Sequence, residues 1–191
     1  MDIVISNVSK QYGDNKVLDH VSFTFQDGST TCIMGESGVG KTTLLGIIMG
    51  KHYDQGEVQT SKKLSVVFQE DRLCDNLSAI SNVLMVCNGM LNHCDKIKEE
   101  LMMVLPEECL YKKVSELSGG MRQRVAIVRA MIADSDTILM DEPFKGLDDS
   151  TKAMVITYIK LRQNTRTLIV STHNQQDCKQ LGGEICVLTK A

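Results

Sequence analysis

Residues 35–42 have the types and spacing of a loop that binds phosphate groups. Glycines let such a backbone curl so that successive N–H groups face one anion, and the helix expected next presents its positive end to the same anion. Lys41 adds a cation for the outer phosphates, and Thr42 offers a hydroxyl to Mg²⁺. The pattern, GxxxxGK[ST], therefore predicts a site for a magnesium-bound nucleotide. The predicted nucleotide-binding residues of this segment and of the position after it are Gly35, Glu36, Ser37, Gly38, Val39, Gly40, Lys41, Thr42 and Thr43.

Two adjacent carboxylates, Asp141 and Glu142, follow the apolar run at residues 137–140. One carboxylate at the end of a strand can hold Mg²⁺ or one of its waters, and the next can polarise a water that attacks the outer phosphate. Paired acids also occur at helix N-termini, where the helix dipole stabilises them. The phosphate loop upstream favours the catalytic interpretation, with Asp141 on the metal and Glu142 as the base.

Four short apolar runs predict the strands that position these groups, at residues 31–34, 64–68, 137–140 and 167–170. Such runs, separated by helical stretches, are typical of buried strands in a parallel sheet. Each run is followed at once by polar or glycine-rich residues, namely the phosphate loop, Gln69, Asp141 and residues 171–173. Because ligands bind beyond the carboxyl ends of such strands, we expect all four segments to line one crevice.

The remaining segments complete a single α/β domain. Residues 3–8 and 21–25 are apolar and partly alternating, which predicts a small β layer at the N-terminus. With 191 residues and 42% apolar content, the chain is expected to fold as one domain. Residues 1–69 and 118–191 form its nucleotide-binding core, and about 70–117 form a mostly helical insertion. We interpret four methionines of this insertion as adaptable filling of a core rather than as a partner-binding surface. They are Met85, Met90, Met102 and Met103.

Charge and cysteine content disfavour several classes of function. The net charge is -3 and the charged residues are scattered, so the sequence lacks the basic patches of a nucleic-acid binder. Seven cysteines without CxxC spacing favour a reducing, cytosolic compartment. No apolar run approaches the roughly 18 residues of a membrane span, so any membrane role is expected to need a partner.

Residues 117–123, with the sequence LSGGMRQ, resemble the signature motif of the ATP-binding cassette (ABC) ATPases. Ser118 can cap the helix that follows, while the N–H groups of Gly119 and Gly120 point toward an anion at its positive end. In this family the signature loop of one subunit closes over the γ-phosphate held by the phosphate loop of another. The resemblance thus implies a head-to-tail pair, formed with a second copy or with a paired ATPase subunit.

Other residues resemble family motifs in the expected order along nearly the whole chain. Tyr12 resembles the aromatic residue that stacks on adenine, and Gln69 the glutamine that links Mg²⁺ to the partner interface. Asp148 resembles the aspartate that communicates across the dimer, and His173 the histidine that contacts the γ-phosphate. The resemblance implies a P-loop NTPase fold of the α/β class, with a mostly parallel core sheet, an N-terminal antiparallel β layer and a small inserted helical subdomain.

The resemblance also implies an activity and its partners. ATP hydrolysis with Mg²⁺ would power passage of a substrate through separate integral-membrane permease subunits, in some systems with a substrate-binding protein. The chain would then be cytoplasmic and peripheral at the inner face of the cell membrane. Residues 68–73 followed by 80–83, and residues 141–144 with 146–148, look most like importers of the nitrate, sulfonate and taurine type. Two alternatives share the catalytic motifs: a non-transport ABC ATPase that remodels its partners, and a lipoprotein-release or export ATPase.

Overall fold

The computed structural model describes residues 1–60, 63–87 and 94–191, and its strands form two sheets. The antiparallel sheet has the order β2 (Asn15–Phe25), β1 (Ile3–Tyr12), β4 (Gln55–Gln59). The parallel sheet has the order β5 (Leu64–Val67), β6 (Thr137–Asp141), β7 (Thr167–Thr172), β3 (Thr30–Met34), β8 (Glu184–Val187). The four predicted core strands and the N-terminal β layer are present. Strand β4 was not predicted, because Val58 is its one apolar residue.

Six helices accompany the sheets in the described residues. None of these helices is long and apolar enough to cross a membrane. They are α1 (Lys41–Ile48), α2 (Ala79–Leu84), α3 (Cys94–Met102), α4 (Gly119–Ile132), α5 (Asp149–Gln163) and α6 (Gln175–Leu181).

The parallel sheet is covered on both faces, so β6 and β7 are buried along their whole length. Successive side chains of a strand point to opposite faces. Ile138 and Met140 accordingly pack in a cluster with residues of α4, α5 and α6, whereas Leu139 packs in a second cluster with α1 and the antiparallel sheet. Burial on both faces explains the continuous apolar runs in the sequence. Because all neighbouring strands of this sheet are parallel, their carboxyl ends lie at one edge.

Residues 70–117 contain α2, α3 and two short 3₁₀ turns, Glu107–Cys109 and Val114–Glu116, among the residues that the structure describes. The buried face of α3 is formed by Ile97, Glu100 and Leu101. The interpretation of the methionines as core filling is wrong for three of them, because Met85, Met102 and Met103 are 53%, 45% and 37% exposed. Met90 lies outside the described residues.

Asn82, on α2, holds the start of this segment in place. Its fully buried side chain accepts a hydrogen bond from the Cys74 N–H at 2.7 Å and donates to the carbonyls of Cys74 and Ser78 at 3.1 and 3.0 Å. Asn82→Ala removes these three hydrogen bonds and leaves the Cys74 N–H without its acceptor, although the carbonyls of Cys74 and Ser78 keep the N–H donors of Leu77 and Asn82. We therefore expect the free energy of unfolding to fall by about 1–3 kcal/mol. Urea unfolding measures the loss. Asn76→Ala, exposed on the same segment, is the control, and an equal effect in both variants would contradict the prediction.

Candidate nucleotide site

The phosphate loop connects the end of β3 to the first residue of α1. Gly38 and Gly40 have φ angles of 81° and 109°, a region that residues with a side chain rarely occupy. Gly40 also packs against β2, where an added Cβ would lie 2.9 Å from Leu18 Cδ2. Both the φ angle and the lack of space for a side chain therefore require glycine at position 40. Gly38 and Gly40 present their backbone to the nucleotide cleft.

Lys41 lies inside this loop, with 7% of its surface exposed. Its Nζ donates hydrogen bonds to the carbonyls of Gly35 at 2.7 Å and Glu36 at 3.0 Å. The same Nζ lies 3.5 Å from Glu142 Oε1. The loop thus holds a cation at its centre, next to the carboxylate that the sequence predicts to be the base.

Thr42 and Asp141 are brought together although they lie 99 positions apart. The Thr42 hydroxyl donates to Asp141 Oδ2 at 2.7 Å, and the Ser171 hydroxyl donates to Asp141 Oδ1 at 2.5 Å. Gln69 lines a cleft with both Thr42 and Asp141. A hydroxyl, a carboxylate and an amide are the hard oxygen donors that Mg²⁺ prefers, so the side chains present fit a magnesium ion.

Ser171 is a member of the site that sequence reasoning did not assign. It lies directly beside Asp141 in the parallel register of β6 and β7. Besides holding the Asp141 carboxylate, its hydroxyl accepts a hydrogen bond from the Glu142 N–H at 3.0 Å. Its position at the end of a predicted strand was the available signal, because residues at the ends of parallel strands share an edge.

Glu142 and His173 form the part of the site that faces the cleft. Glu142 has a φ angle of 47°, unusual for a residue other than glycine. The Glu142 N–H donates hydrogen bonds to the hydroxyl and the carbonyl of Ser171, and these stabilise the conformation where β6 ends. His173 Nδ1 lies 2.9 Å from Glu142 Oε2, and the histidine is 68% exposed. The Glu142 carboxylate therefore lies between the Lys41 cation and an accessible imidazole.

Most of the predicted nucleotide-binding residues line a single cleft. Tyr12 lies at its wall with 55% of its surface exposed, and Lys145 lines it although sequence reasoning did not assign Lys145. Gly35 and Val39 face a neighbouring cleft behind the loop instead. The predicted residues that line the nucleotide cleft are Tyr12, Glu36, Ser37, Gly38, Gly40, Lys41, Thr42, Thr43, Gln69, Glu142 and His173.

The signature residues lie outside this cleft. Ser118 caps α4 by accepting a hydrogen bond from the Met121 N–H at 3.3 Å. Gly119 and Gly120 line an adjacent cleft together with Gln69 and Glu142. Among the described residues, an added Cβ at Gly119 would meet nothing within 4 Å. The signature loop is thus open to a second molecule and does not contribute to its own chain's nucleotide cleft.

Asp148 is the N-cap residue of α5 and lies two positions after Gly146, which lines the cleft of the signature residues. Its carboxylate accepts hydrogen bonds from the Ser150 hydroxyl at 2.6 Å, the Thr151 N–H at 2.9 Å and the Thr151 hydroxyl at 2.7 Å. These hydrogen bonds hold the pKa of the Asp148 carboxyl well below its usual range. The side chain is therefore a fixed anionic cap of α5.

The model of the ABC transporter family matches residues 18–145, which include the phosphate loop, the signature and the paired carboxylates. The chain is an ABC ATPase. Among the relatives of this ABC ATPase is the sulfate/thiosulfate import ATP-binding protein CysA of Mesostigma viride, 31% identical over 98% of this chain and 59% of that protein. The bicarbonate transport ATP-binding protein CmpD of Synechococcus elongatus is 33% identical over 98% of this chain and 75% of that protein. The chain spans less than two thirds of CysA.

The fold of this ABC ATPase is also that of solved cassettes. The dimeric structure of MJ0796, a bacterial ABC transporter cassette, has a TM-score of 0.86 at 30% identity and covers 97% of this chain and 94% of that chain. A dimeric post-hydrolysis state of MJ0796 bound to ADP and Pi has a TM-score of 0.86 at 28% identity, covering 98% and 94%. The predicted fold class is therefore confirmed.

Proposed function

We propose that this ABC ATPase binds and hydrolyses Mg-ATP in the cleft at the carboxyl edge of its parallel sheet. The observation that carries the proposal is the arrangement around Glu142, whose carboxylate lies 3.5 Å from Lys41 Nζ and 2.9 Å from His173 Nδ1. The phosphate loop binds the phosphates, and Lys41 exchanges its contact with Glu142 for a phosphate oxygen. Thr42, Gln69 and Asp141 would hold Mg²⁺, which would neutralise charge on the outer phosphates.

Hydrolysis is an in-line displacement at the γ-phosphorus. Glu142 accepts a hydrogen bond from the attacking water, whose oxygen forms a bond to phosphorus as the bond to the bridging oxygen of ADP breaks. The proton of the water passes by way of Glu142 to the products. His173 holds the Glu142 carboxylate through its Nδ1 and contacts the γ-phosphate. Lys41 stabilises the charge on the transferring group.

The signature residues act on a second molecule. Ser118, Gly119 and Gly120 flank an open cleft and the start of α4, where N–H groups and the helix dipole favour an anion. We propose that they cover the γ-phosphate held by the opposing phosphate loop of a second copy or a paired ATPase subunit. The dimeric MJ0796 cassettes support this arrangement. Asp148, fixed at the start of α5, then lies at the interface between the two subunits.

We propose that the free energy of ATP hydrolysis drives import of a substrate through separate permease subunits. The relatives named above are ATP-binding proteins of sulfate/thiosulfate import and bicarbonate transport, and the aliphatic sulfonates import protein SsuB of Bacillus cereus is 34% identical over 95% of this chain and 77% of that protein. These names favour the nitrate and sulfonate type of importer. Exposed apolar side chains on the helical segment, Leu77, Met85 and Tyr111, provide a surface for the permease. The chain is then cytoplasmic and peripheral at the membrane.

Two measurements test this function. The purified chain is expected to release phosphate from Mg-ATP, and no release from the chain or from its complex would refute the catalytic proposal. The tagged chain, purified from gently solubilised native membranes, is expected to retain a polytopic permease at stoichiometric levels, and in some systems a substrate-binding protein. Soluble partners alone, with the chain absent from membranes, would refute transport and favour a remodelling ATPase.

Tyr12→Ala is expected to raise the KM for Mg-ATP about tenfold with little change in kcat. Loss of a base-stacking aromatic ring costs about 1–3 kcal/mol of binding, and the tyrosine does not contact the reacting phosphate. Steady-state kinetics separate the two constants. Tyr111→Ala is the control, because Tyr111 is 65% exposed on the helical segment. Equal KM values for wild type and Tyr12→Ala would show that Tyr12 does not bind the base.

A further inference from the structure

Two arginines on one face of α4 hold the segment that follows Gln69. Arg122 and Arg129 are seven residues apart, about two helical turns, so their side chains project from the same face. Both reach residues 71–75, which we call the Gln69-adjacent segment. This contact joins the signature helix to the loop of the proposed magnesium site within a single chain.

Arg122 forms the stronger of the two connections. Its Nε and Nη2 donate to the two oxygens of Asp71 at 2.7 and 3.0 Å, and its Nη1 lies 2.7 Å from Asp75 Oδ1. The Arg122 and Asp71 side chains are only 24% and 19% exposed. Bidentate, charge-assisted hydrogen bonds are strong and fix orientation as well as distance, and partial burial limits their screening by salt.

Arg129 and Asn82 extend this connection along the chain. Arg129 donates to the backbone carbonyls of Arg72 at 3.0 Å and Asp71 at 3.1 Å. At the other end of the segment, Asn82 binds both backbone groups of Cys74. The Gln69-adjacent segment is thus attached to α4 on one side and to α2 on the other. Because α2 also packs against α4, a displacement of α4 is expected to move the two helices and this segment together.

We propose that Arg122 is a positioning residue that makes Gln69 follow the movements of α4. The signature residues lie at the N-terminus of α4, and Gln69 lies two positions before Asp71. When the signature loop closes on a second subunit, Arg122 carries the displacement to Gln69 in the magnesium site. This inference rests on the proposed ATPase function, because it assigns a second task to the helix that carries the signature.

The test is a double-mutant cycle on the full chain, with Arg122→Ala, Asp71→Ala and the double variant. Arg122 lies outside the nucleotide cleft of its own chain and lines the adjacent cleft with Gly119 and Gly120. We expect kcat for Mg-ATP hydrolysis to fall about tenfold while KM stays within about twofold, because a small misplacement of a group in the site is costly. The double variant is expected to be no slower than either single variant, since both remove the same connection. Arg122→Lys, which keeps the charge but not the planar fork that binds both oxygens of Asp71, is expected to be intermediate.

Arg162→Ala is the matched control for a purely structural effect. Arg162 Nε donates to Glu100 Oε2 at 2.8 Å and joins α5 to α3, so this variant also breaks an arginine–carboxylate pair that attaches the helical segment. We expect a lower Tm, with kcat within about twofold of wild type.

The outcomes separate the inference from the function on which it rests. A kcat within twofold of wild type for Arg122→Ala, multiplicative losses in the double variant, or an equal loss of kcat in Arg162→Ala would each overturn the inference. A wild-type chain that does not hydrolyse Mg-ATP would overturn the proposed function, and the inference with it.

Discussion

Glu142→Gln is expected to lower kcat for Mg-ATP hydrolysis by about 10³-fold while ATP remains bound. General-base catalysis contributes about 10²–10⁴ in rate, and the amide cannot take a proton from water. The change preserves the shape of the side chain and an oxygen that can contact His173, 2.9 Å away in the native site. The phosphate loop, Lys41 and Thr42 are untouched, so the phosphates are still held. Phosphate release and binding of a fluorescent ATP analogue measure the two effects.

The same variant is expected to accumulate as an ATP-bound dimer. In the proposed pairing, intact ATP holds two cassettes together and its hydrolysis allows them to separate, so blocking hydrolysis extends the life of the closed pair. Size-exclusion chromatography with saturating Mg-ATP detects the dimer. Glu57→Gln, on the exposed strand β4, makes the same chemical change outside the site and is expected to turn over normally. Only monomer in the Glu142→Gln sample would contradict the pairing of two chains.

Lys41→Ala is expected to reduce turnover of Mg-ATP by about 10²-fold or more and to weaken nucleotide binding. A hydrogen bond to a charged group is worth about 1.5–3 kcal/mol, which corresponds to about 10–100-fold in affinity. Lys41 also stabilises charge that develops on the transferring phosphoryl group, so its loss reduces kcat in addition. Its Nζ is anchored by the Gly35 and Glu36 carbonyls, and none of the remaining loop side chains can replace that cation.

The control for Lys41→Ala is Lys63→Ala. Lys63 pairs with Asp134 at 3.0 Å, and both side chains are largely exposed, at 69% and 70%, so little change in stability or turnover is expected. Isothermal calorimetry gives the affinity and a phosphate-release assay gives the rate. Hydrolysis by Lys41→Ala at the wild-type rate would refute the assignment of the site.

Local patterns predicted the core strands and the loops that follow them. Residues 138–140 and 168–170 are continuously apolar because both faces of β6 and β7 are covered. Burial on both faces can therefore be detected in the sequence. Ser118 was predicted as a helix cap from its own type and its neighbours, and it caps α4. Strand β4 has no such signal: its residues are mostly exposed and polar, and it exists because β1 offers an edge to pair with.

The geometry of the site depended on contacts between distant residues. The sequence predicted that the phosphate loop, Gln69, Asp141, Glu142 and His173 would meet, because parallel strands end at one edge. It did not predict that Ser171 would hold the Asp141 carboxylate, since that contact depends on the register of two strands 30 residues apart.

The sequence by itself determined the phosphate loop, the paired carboxylates and the family, because these depend on residue types at short, fixed spacings. Only the tertiary structure decided which surfaces remain open, exposing Met85 and leaving the signature residues outside their own nucleotide cleft. It alone also brought Arg122 to Asp71, 51 positions away. The physical reason is that long-range packing is the sum of many weak contacts, none of which leaves a periodic pattern in the chain.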